Sequence, residues 1–314
     1  MTDKIKQLRK AKNAIILAHF YQRPEVQEIA DFVGDSLQLS AQAAATGADI
    51  IVFAGVHFMA ETAKILSPQK KVLLPDLNAG CSLAESCDPD SFKKFIAAHP
   101  EHTVISYVNT GAEIKALTDI CCTSGNALKI VNSLPENEKI IFAPDRNLGN
   151  YIKSITGREN MLVWDGACHV HEAFSAERLS ALKKQRPEAK TLAHPECKKP
   201  VLLLADFIGS TAALLDFTKK DAAQEYIVVT EPGVIFRMQK ESPHKTFLPL
   251  PGVSAPVSAP ADDCGACNDC RFMKLTTLEK ICRALEYEQP EILVPETIRK
   301  KAEKSILRML ELSK

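Results

Sequence analysis

The sequence lacks an excess of charge of either sign, because Lys and Arg together number 39, as do Asp and Glu. This balance argues against a broad basic surface for nucleic acid or an anionic membrane, so we expect no partner of either kind and small-molecule partners instead. The longest apolar run, IIVFAGV at 50–56, is far too short to span a bilayer. The N-terminal stretch MTDKIKQLRKAKN has no apolar core, which argues against a signal peptide and predicts a cytoplasmic protein.

Cysteine, by contrast, is abundant for a cytoplasmic protein. The chain has ten cysteines, and a reducing cytosol disfavours structural disulfides, so metal ligation or redox chemistry is the better explanation for some of them. Three of them, Cys264, Cys267 and Cys270, stand close together in the stretch PADDCGACNDCRFM. A second C-x-x-C pair is absent, which argues against the usual zinc site with two such pairs. The spacing also differs from the C-x3-C-x2-C pattern of radical enzymes that use S-adenosylmethionine.

Short apolar runs of β-forming residues alternate with helical patterns along the whole chain. Such alternation is typical of parallel sheets with helices on both faces. We predict nine strands, at 14–18, 49–53, 71–74, 103–107, 139–142, 161–164, 190–193, 226–229 and 245–250.

The predicted strands form three sections with the same layout. The first strand of each section leads to His19, Tyr107 or His194, and these residues are 88 and 87 positions apart. Seventeen positions after each of them a hydroxyl residue stands at the start of a helical pattern, namely Ser36, Ser124 and Thr211. A cysteine follows the third predicted strand of each section, namely Cys81, Cys168 and the C-terminal trio. Coincidence would explain one such match better than it explains three in register.

This register predicts the α/β class, with three similar α/β/α domains of three layers and a parallel sheet, arranged with pseudo-threefold symmetry around a central active site. We expect the first domain to comprise residues 1–82 together with 271–314, whose two helical patterns return to it. The second domain is expected at 83–169. The third is expected at 170–270, which includes a Pro-rich connector and the cysteine trio.

The residue types at the predicted centre indicate its chemistry. Thiolates are the usual ligands of iron–sulfur clusters, and a four-iron cluster held by three cysteines leaves one iron open as a Lewis acid. Hydroxyls that cap helix N-termini predict a site for carboxylates or a phosphate, although plain capping explains each hydroxyl alone. Glu196 is the only strong base in the strand-end motifs, so we predict that it abstracts a proton. Other hydrogen-bonding and proton-transfer candidates near the strand ends are His19, Tyr21, Tyr107, Asn109, His171 and His194.

These residues belong to motifs that resemble the quinolinate synthase family, the A protein of bacterial and archaeal NAD biosynthesis, over nearly the whole chain. The motifs are ILAHFYQRPEVQEIADFVGDSL, FAGVHFMAETAKIL, VLLPDLNAGCSLA, YVNTGAEIKA, CTSGNA, PDRNLGNY, WDGACHVHE, AHPEC and CRFMK. The resemblance implies a transferase that condenses iminoaspartate (iminosuccinate) with dihydroxyacetone phosphate to give quinolinate, phosphate and water. It also implies an aspartate oxidase or dehydrogenase as the upstream supplier of iminoaspartate.

The resemblance further implies which residues form the site. The implied ligands of a [4Fe–4S] cluster with one open iron are Cys81, Cys168 and Cys270. Cys264 and Cys267 are then left as candidates for a regulatory disulfide. The implied catalytic residues are Tyr21, His171, His194 and Glu196. The implied substrate-binding residues are His19, Ser36, Tyr107, Asn109, Ser124, His194, Glu196 and Thr211. Arg271 stands where many members of the family have Pro, a departure that does not affect ligation.

Two other functions fit parts of the pattern. A hydro-lyase of the aconitase type also uses an open-iron cluster, but it acts on a single hydroxy acid. A non-enzymatic redox-sensing or zinc-binding protein could be built on the C-terminal C-x-x-C-x-x-C alone. Neither alternative explains why cysteines recur once in each section.

Overall fold

The computed structural model describes residues 1–252 and 268–314, and these residues form three separate four-stranded sheets. All strand pairs in the three sheets are parallel, and each sheet has the same order, second–first–third–fourth in chain sequence. The strands are β1 (Ala14–His19), β2 (Phe32–Gly34), β3 (Ile50–Ala54), β4 (Lys71–Leu73), β5 (Thr103–Tyr107), β6 (Ile120–Cys122), β7 (Ile140–Ala143), β8 (Met161–Val163), β9 (Lys190–Ala193), β10 (Phe207–Ile208), β11 (Glu225–Val229) and β12 (Thr246–Pro249).

This architecture confirms the predicted α/β class with three similar units, and all nine predicted strands form. The sequence analysis missed one strand in each sheet, namely β2, β6 and β10. These strands have two or three residues each and lie at a sheet edge, beside the first strand of their unit. So short a run shows no measurable periodicity, which is why the sequence pattern did not reveal it.

Helices and one 3₁₀ turn connect these strands. They are α1 (Thr2–Ala11), α2 (Pro24–Ile29), α3 (Ser36–Ala45), α4 (His57–Leu66), α5 (Ser82–Glu85), α6 (Pro89–Ala98), α7 (Ala112–Lys115), α8 (Ala127–Asn132), α9 (Arg146–Thr156), α10 (His169–Glu172), α11 (Ala176–Gln185), α12 (Lys199–Leu202), α13 (Thr211–Lys220), α14 (Gly233–Glu241), the 3₁₀ turn Met273–Leu275, α15 (Leu278–Tyr287) and α16 (Glu296–Ser313). Within the described parts of the chain, none of the helices combines the length and the apolar character needed to cross a bilayer.

Each sheet is buried on both faces. Along β7 the side chains of Ile140 and Phe142 join one hydrophobic cluster, whereas Ile141 and Ala143 join another. Since successive strand residues point to opposite faces, both faces of this sheet are covered by apolar side chains. The same alternation occurs along β3 and β11. The first of these clusters is shared by all three sheets, so one face of every sheet contributes to a common central core.

The two C-terminal helices occupy different places. α15 packs against α1 and β3 of the first unit, as the sequence analysis predicted. α16 packs against α4 of the first unit but also against α7, α8 and β6 of the second. Ser305, in the middle of α16, donates a hydrogen bond of 2.9 Å to the carbonyl oxygen of Lys115. α16 therefore joins two units, and the domain boundaries after residues 82, 169 and 270 stay a proposal.

We predict that α16 contributes strongly to the stability of the whole chain. Ile306 is fully buried, so Ile306→Ala should lower the free energy of unfolding by about 2–5 kcal/mol. Its neighbour Leu307 is 50% exposed, so Leu307→Ala should change it by only about 0.5 kcal/mol. Denaturant unfolding of both variants measures the difference, and equal effects would show that this helix does not pack as described.

Candidate active site

The first strands of the three sheets all lead to one cavity. Its volume is about 700 Å³, counting the mouth that opens to solvent. His19 and Tyr107 are the last residues of β1 and β5, and His194 directly follows β9. The cavity wall contains all of the residues that the sequence analysis assigned to the site: His19, Tyr21, Ser36, Cys81, Tyr107, Asn109, Ser124, Cys168, His171, His194, Glu196, Thr211 and Cys270.

The three cysteines of this wall share one local structure. Cys81 and Cys168 directly precede α5 and α10, whereas Cys270 lies three residues before the 3₁₀ turn, and a backbone N–H that follows each cysteine hydrogen-bonds to its sulfur. Burial raises the pKa of Cys81 to about 12 and that of Cys270 to about 11, and it also raises the pKa of Cys168. These thiols must therefore lose their protons when they bind a metal. The other two members of the trio, Cys264 and Cys267, lie outside the described residues.

A group that could hold a metal ion lies in the same wall. The ligand atoms of Cys168, His171 and Glu196 all lie within 4.8 Å of one another. The sequence analysis expected Cys168 to be a metal ligand and the other two to transfer protons. Nδ1 of His171 lies 3.3 Å from the sulfur of Cys168 and 2.8 Å from Oε2 of Glu196, so thiol, imidazole and carboxylate are immediate neighbours.

A continuous chain of hydrogen bonds crosses the cavity wall. The hydroxyl of Tyr21 lies 2.8 Å from that of Thr230, which lies 2.9 Å from Nε2 of His171. The other nitrogen of His171 contacts Glu196, and Tyr107 donates a bond of 2.6 Å to Oε1 of that carboxylate. The sequence analysis missed Thr230. A signal was available, because Thr230 directly follows β11 at the carboxyl end of the sheet.

Glu196 is the charged member of this hydrogen-bonded chain. Burial alone would raise its pKa, but attraction to His171 and His194, together with hydrogen bonds from His171 and Tyr107, lowers the pKa of Glu196 below its ordinary value. Burial, and then the negative charge of Glu196, raise the pKa of Tyr107. At neutral pH Glu196 is therefore an ionised acceptor and Tyr107 a protonated donor.

Two buried histidines are held in the same way. The backbone N–H of Tyr21 donates to Nδ1 of His19 at 3.1 Å, and that of Glu196 donates to Nδ1 of His194 at 3.3 Å. Burial lowers the pKa of both imidazoles to about 3. Each ring is therefore neutral with its proton on Nε2, and Nε2 of His194 lies 3.1 Å from the hydroxyl of Ser124.

The helix N-termini differ from the expectation that the matched hydroxyls cap them. Ser36 and Thr211 are the first residues of α3 and α13, and the caps are the preceding residues, Asp35 and Ser210. Ser124 lies in a turn that ends before α8 begins at residue 127. Ser210 donates a hydrogen bond of 3.2 Å to Asp35, which ties the two helix starts together. The matched hydroxyls line the cavity instead, where that of Ser124 contacts His194 and that of Thr211 lies 2.8 Å from the hydroxyl of Tyr21.

Comparison with known proteins identifies the family. The family model "NadA: Quinolinate synthetase A protein" matches residues 3–311. The chain belongs to the quinolinate synthetase A protein family. This membership confirms the resemblance inferred from the motifs, and it favours an enzyme over a non-enzymatic redox or zinc protein.

Individual relatives agree with this membership. Proteins called quinolinate synthase from Rippkaea orientalis and Nostoc sp. are each 57% identical over 309 residues, which cover 98% of this chain and 92% of theirs. One from Synechocystis sp. is 58% identical over 309 residues, with 98% and 94% covered. The solved E-1-hydroxy-2-methyl-but-2-enyl-4-diphosphate reductase from Plasmodium falciparum aligns over 82% of this chain and 89% of its own at 12% identity. Its TM-score of 0.29 is too low to support any argument.

Within this quinolinate synthetase A protein, the sequence analysis also missed three buried carboxylates near the cavity. Asp35 and Glu231 line it, and Asp145 accepts a hydrogen bond from the backbone of Cys168 at 2.9 Å. Asp35 has a sequence signal, since Asp followed three positions later by Gln is a capping box, which the structure contains. Asp145 and Glu231 follow strands, and only tertiary packing reveals that they are buried.

We predict that His19 makes the fold sensitive to acid. Its pKa is about 3 in the folded chain and 6.5 as an ordinary value, so below pH 6.5 only the unfolded chain takes up this proton. Between pH 7 and pH 5 the metal-free protein should lose on the order of 2 kcal/mol of stability through this residue. His19→Asn keeps an acceptor for the N–H of Tyr21 and should remove that part of the pH dependence in denaturant unfolding. If the free energy of unfolding of His19→Asn depended on pH as strongly as that of wild type, the neutral, buried state of His19 would be contradicted.

Proposed function

We propose that this chain is a quinolinate synthase that condenses iminoaspartate with dihydroxyacetone phosphate and releases quinolinate, phosphate and water for NAD biosynthesis. The main support is the family match over residues 3–311, together with one cavity to which all three sheets contribute polar side chains. The cytoplasmic location and the upstream aspartate oxidase or dehydrogenase stay predictions. Turnover of a single hydroxy acid without the triose phosphate would favour the hydro-lyase alternative.

Both proposed substrates are anions, and the cavity offers neutral donors for them. We assign substrate binding to the neutral imidazoles and hydroxyls near the helix starts, with Tyr107, Asn109 and Glu196 beside the reacting atoms. Neutral donors suit this task because a buried N–H or O–H can donate to an anion. A cationic donor would first cost the free energy of burying its own charge. The imidazoles and hydroxyls are His19, Ser36, Ser124, His194 and Thr211.

We assign the proton transfers to the hydrogen-bonded chain that ends at Tyr21 and Tyr107. The condensation needs a proton to move between neighbouring triose carbons during a keto–aldehyde isomerisation. Glu196 is ionised and lies in the middle of the chain, so it is the proposed base. Tyr21 keeps its proton because burial raises its pKa, so it is a candidate donor to a substrate oxygen. His171 passes protons between them, and His194 assists from its stacked position 4.7 Å away.

We propose that Cys81, Cys168 and Cys270 hold a [4Fe–4S] cluster. The donor set fits this group, because three thiols from separate parts of the chain line one cavity and each sulfur accepts a backbone N–H, as cluster-ligating sulfurs do. When bound, the cluster supplies an iron with an open coordination position, which acts as a Lewis acid toward substrate oxygens. His171 and Glu196 lie beside Cys168, so they would offer a proton donor and an acceptor near the bound cluster.

Replacing a ligand should abolish cluster binding. Anaerobically reconstituted protein should be brown, and Cys81→Ala, Cys168→Ala or Cys270→Ala should reduce its iron and sulfide by most of their amount, because loss of one ligand leaves two of the four irons without a thiolate. Iron and sulfide analysis with the visible absorption spectrum measures this.

Two other cysteines of the trio serve as matched controls for this experiment. Cys264→Ala and Cys267→Ala should keep the wild-type content of iron and sulfide. Loss of iron in Cys264→Ala, with retention in Cys270→Ala, would mean that the wrong member of the trio was chosen. Iron bound without sulfide, and dependent on Cys168 and His171 alone, would favour a mononuclear site.

Removing the base should stop turnover without disturbing the cluster. Glu196→Gln keeps the size of the side chain but cannot accept the proton, so kcat should fall by about 10²–10⁴-fold with iron and sulfide unchanged. An anaerobic assay with both substrates, detecting quinolinate, measures this. Glu188 is an exposed glutamate, so Glu188→Gln is the control and should behave as wild type. Retained turnover in Glu196→Gln would remove Glu196 as the base.

A further inference from the structure

Two of the three units have a buried carboxylate at the same place. Asp145 lies two residues after β7, and Glu231 lies two residues after β11. β7 and β11 hold the same position in their sheets, since each pairs with the first and the fourth strand of its unit. Both carboxylates are completely buried. In the first unit the matching position after β3 is Val56, which has no carboxylate.

Each of these carboxylates holds the backbone of a cysteine. Oδ2 of Asp145 accepts a hydrogen bond from the N–H of Cys168 at 2.9 Å, and Oε1 of Glu231 accepts one from the N–H of Cys270 at 3.3 Å. Burying a carboxylate costs free energy unless it is paired and hydrogen-bonded. Helix capping explains only one oxygen of each group: Oδ1 of Asp145 accepts the N–H groups of Asn147 and Leu148, and Oε2 of Glu231 accepts that of Gly233. The second oxygen of each is directed at a cysteine, at equivalent positions in two units, which indicates a role beyond capping.

Glu231 connects its cysteine to a second part of the site. Oε1 of Glu231 lies 2.7 Å from the ammonium group of Lys274, which also donates a hydrogen bond of 2.7 Å to the carbonyl oxygen of Tyr21. Glu231, Lys274 and the backbone of Tyr21 pack tightly around Gly233. A Cβ at this position would lie 2.8 Å from Oε2 of Glu231, 2.9 Å from the nitrogen of Lys274 and 2.9 Å from the carbonyl carbon of Tyr21.

We propose that Asp145 and Glu231 are positioning residues that hold the thiols of Cys168 and Cys270 toward a common point before any metal or sulfide arrives, and that Glu231 fixes Tyr21 through Lys274. The proposal rests on the proposed function only for the identity of the group that the thiols bind. Residues that orient metal ligands in this way commonly change metal affinity by about 10–100-fold when replaced. Cys81 belongs to the unit without the carboxylate, so it is an internal control.

Thiol alkylation of the metal-free protein tests the proposal without any cluster. Asp145→Asn and Glu231→Gln are treated with iodoacetamide, and the modified cysteines are followed over time by mass spectrometry. Because the amide of each variant offers one acceptor oxygen where the carboxyl group offers two, it cannot cap the helix and hold the cysteine N–H together. We therefore expect Cys168 to react several-fold faster in the first variant and Cys270 in the second. Cys81 should react at the wild-type rate in both. Wild-type rates for Cys168 and Cys270 in their respective variants would overturn the proposal.

Two controls separate positioning from general loosening of the fold. Asp88 accepts a backbone N–H from Ser91 far from the cavity, so Asp88→Asn loses the same kind of bond and should leave the reactivity of all three cysteines unchanged. If Glu231→Gln does not fold because Lys274 loses its partner, the double variant Glu231→Gln/Lys274→Met removes both charges and should fold. Faster alkylation of Cys270 is expected there too, and a wild-type rate in a folded double variant overturns the role of Glu231.

Cluster retention and kinetics supply a second readout. In reconstituted protein a chelator should remove iron about 10-fold faster or more from Asp145→Asn and Glu231→Gln than from wild type. Lys274→Met should keep the wild-type iron and sulfide content but lower kcat more than it changes KM, and an unchanged kcat would overturn the link to Tyr21. A wild-type protein that takes up no iron and sulfide overturns the proposed cofactor, whereas the alkylation pattern still decides the positioning.

Discussion

The hydrophobic core shared by the three sheets is the constraint on which the site depends. One face of each sheet joins this single cluster, while each opposite face has a cluster of its own. Because the strands within each sheet are parallel, burying these faces together brings the three first strands to one cavity. Cys81, Cys168 and Cys270 are far apart in sequence and meet there only because this core forms.

Most of this arrangement could be predicted from the sequence. Buried parallel strands are continuous apolar runs, and the threefold register follows from the number of residues between matching positions. Sequence periodicity did not reveal β2, β6 and β10, which are too short to have a period. It also placed two helix caps one residue late, because Asp35 and Ser210 are each followed directly by a hydroxyl residue that can also cap a helix. The contacts of α16 with the second unit depend on long-range packing that no local pattern encodes.

The polar part of the site is governed by burial in a medium of low polarity. Asp145, Glu196 and Glu231 are buried in or beside the cavity wall. His171 pairs with Glu196 and Lys274 with Glu231, whereas burial raises the pKa of Asp145 to about 7. Sequence reasoning found Glu196, since it lies in a strand-end motif, but it could not find Asp145 and Glu231 as partners of cysteine N–H groups. That requirement exists only once the cysteine loops fold over the strands. A carboxyl group suits both positions because its two oxygens hold the cysteine N–H and the start of the next helix at the same time.

Threefold similarity of the scaffold does not produce threefold chemistry. The last residue of the strand, or the one after it, and the residue two positions further on face the cavity in every unit, yet the pairs differ: His19 and Tyr21, Tyr107 and Asn109, His194 and Glu196. In the first and third pairs the backbone N–H of the second residue donates to Nδ1 of the histidine. The local backbone is therefore repeated, while the second side chain differs. The proposed reaction has two different substrates, which a symmetric set of donors would bind in several orientations. The differences at these six positions, on a repeated arrangement of strands, therefore give a threefold scaffold an asymmetric site.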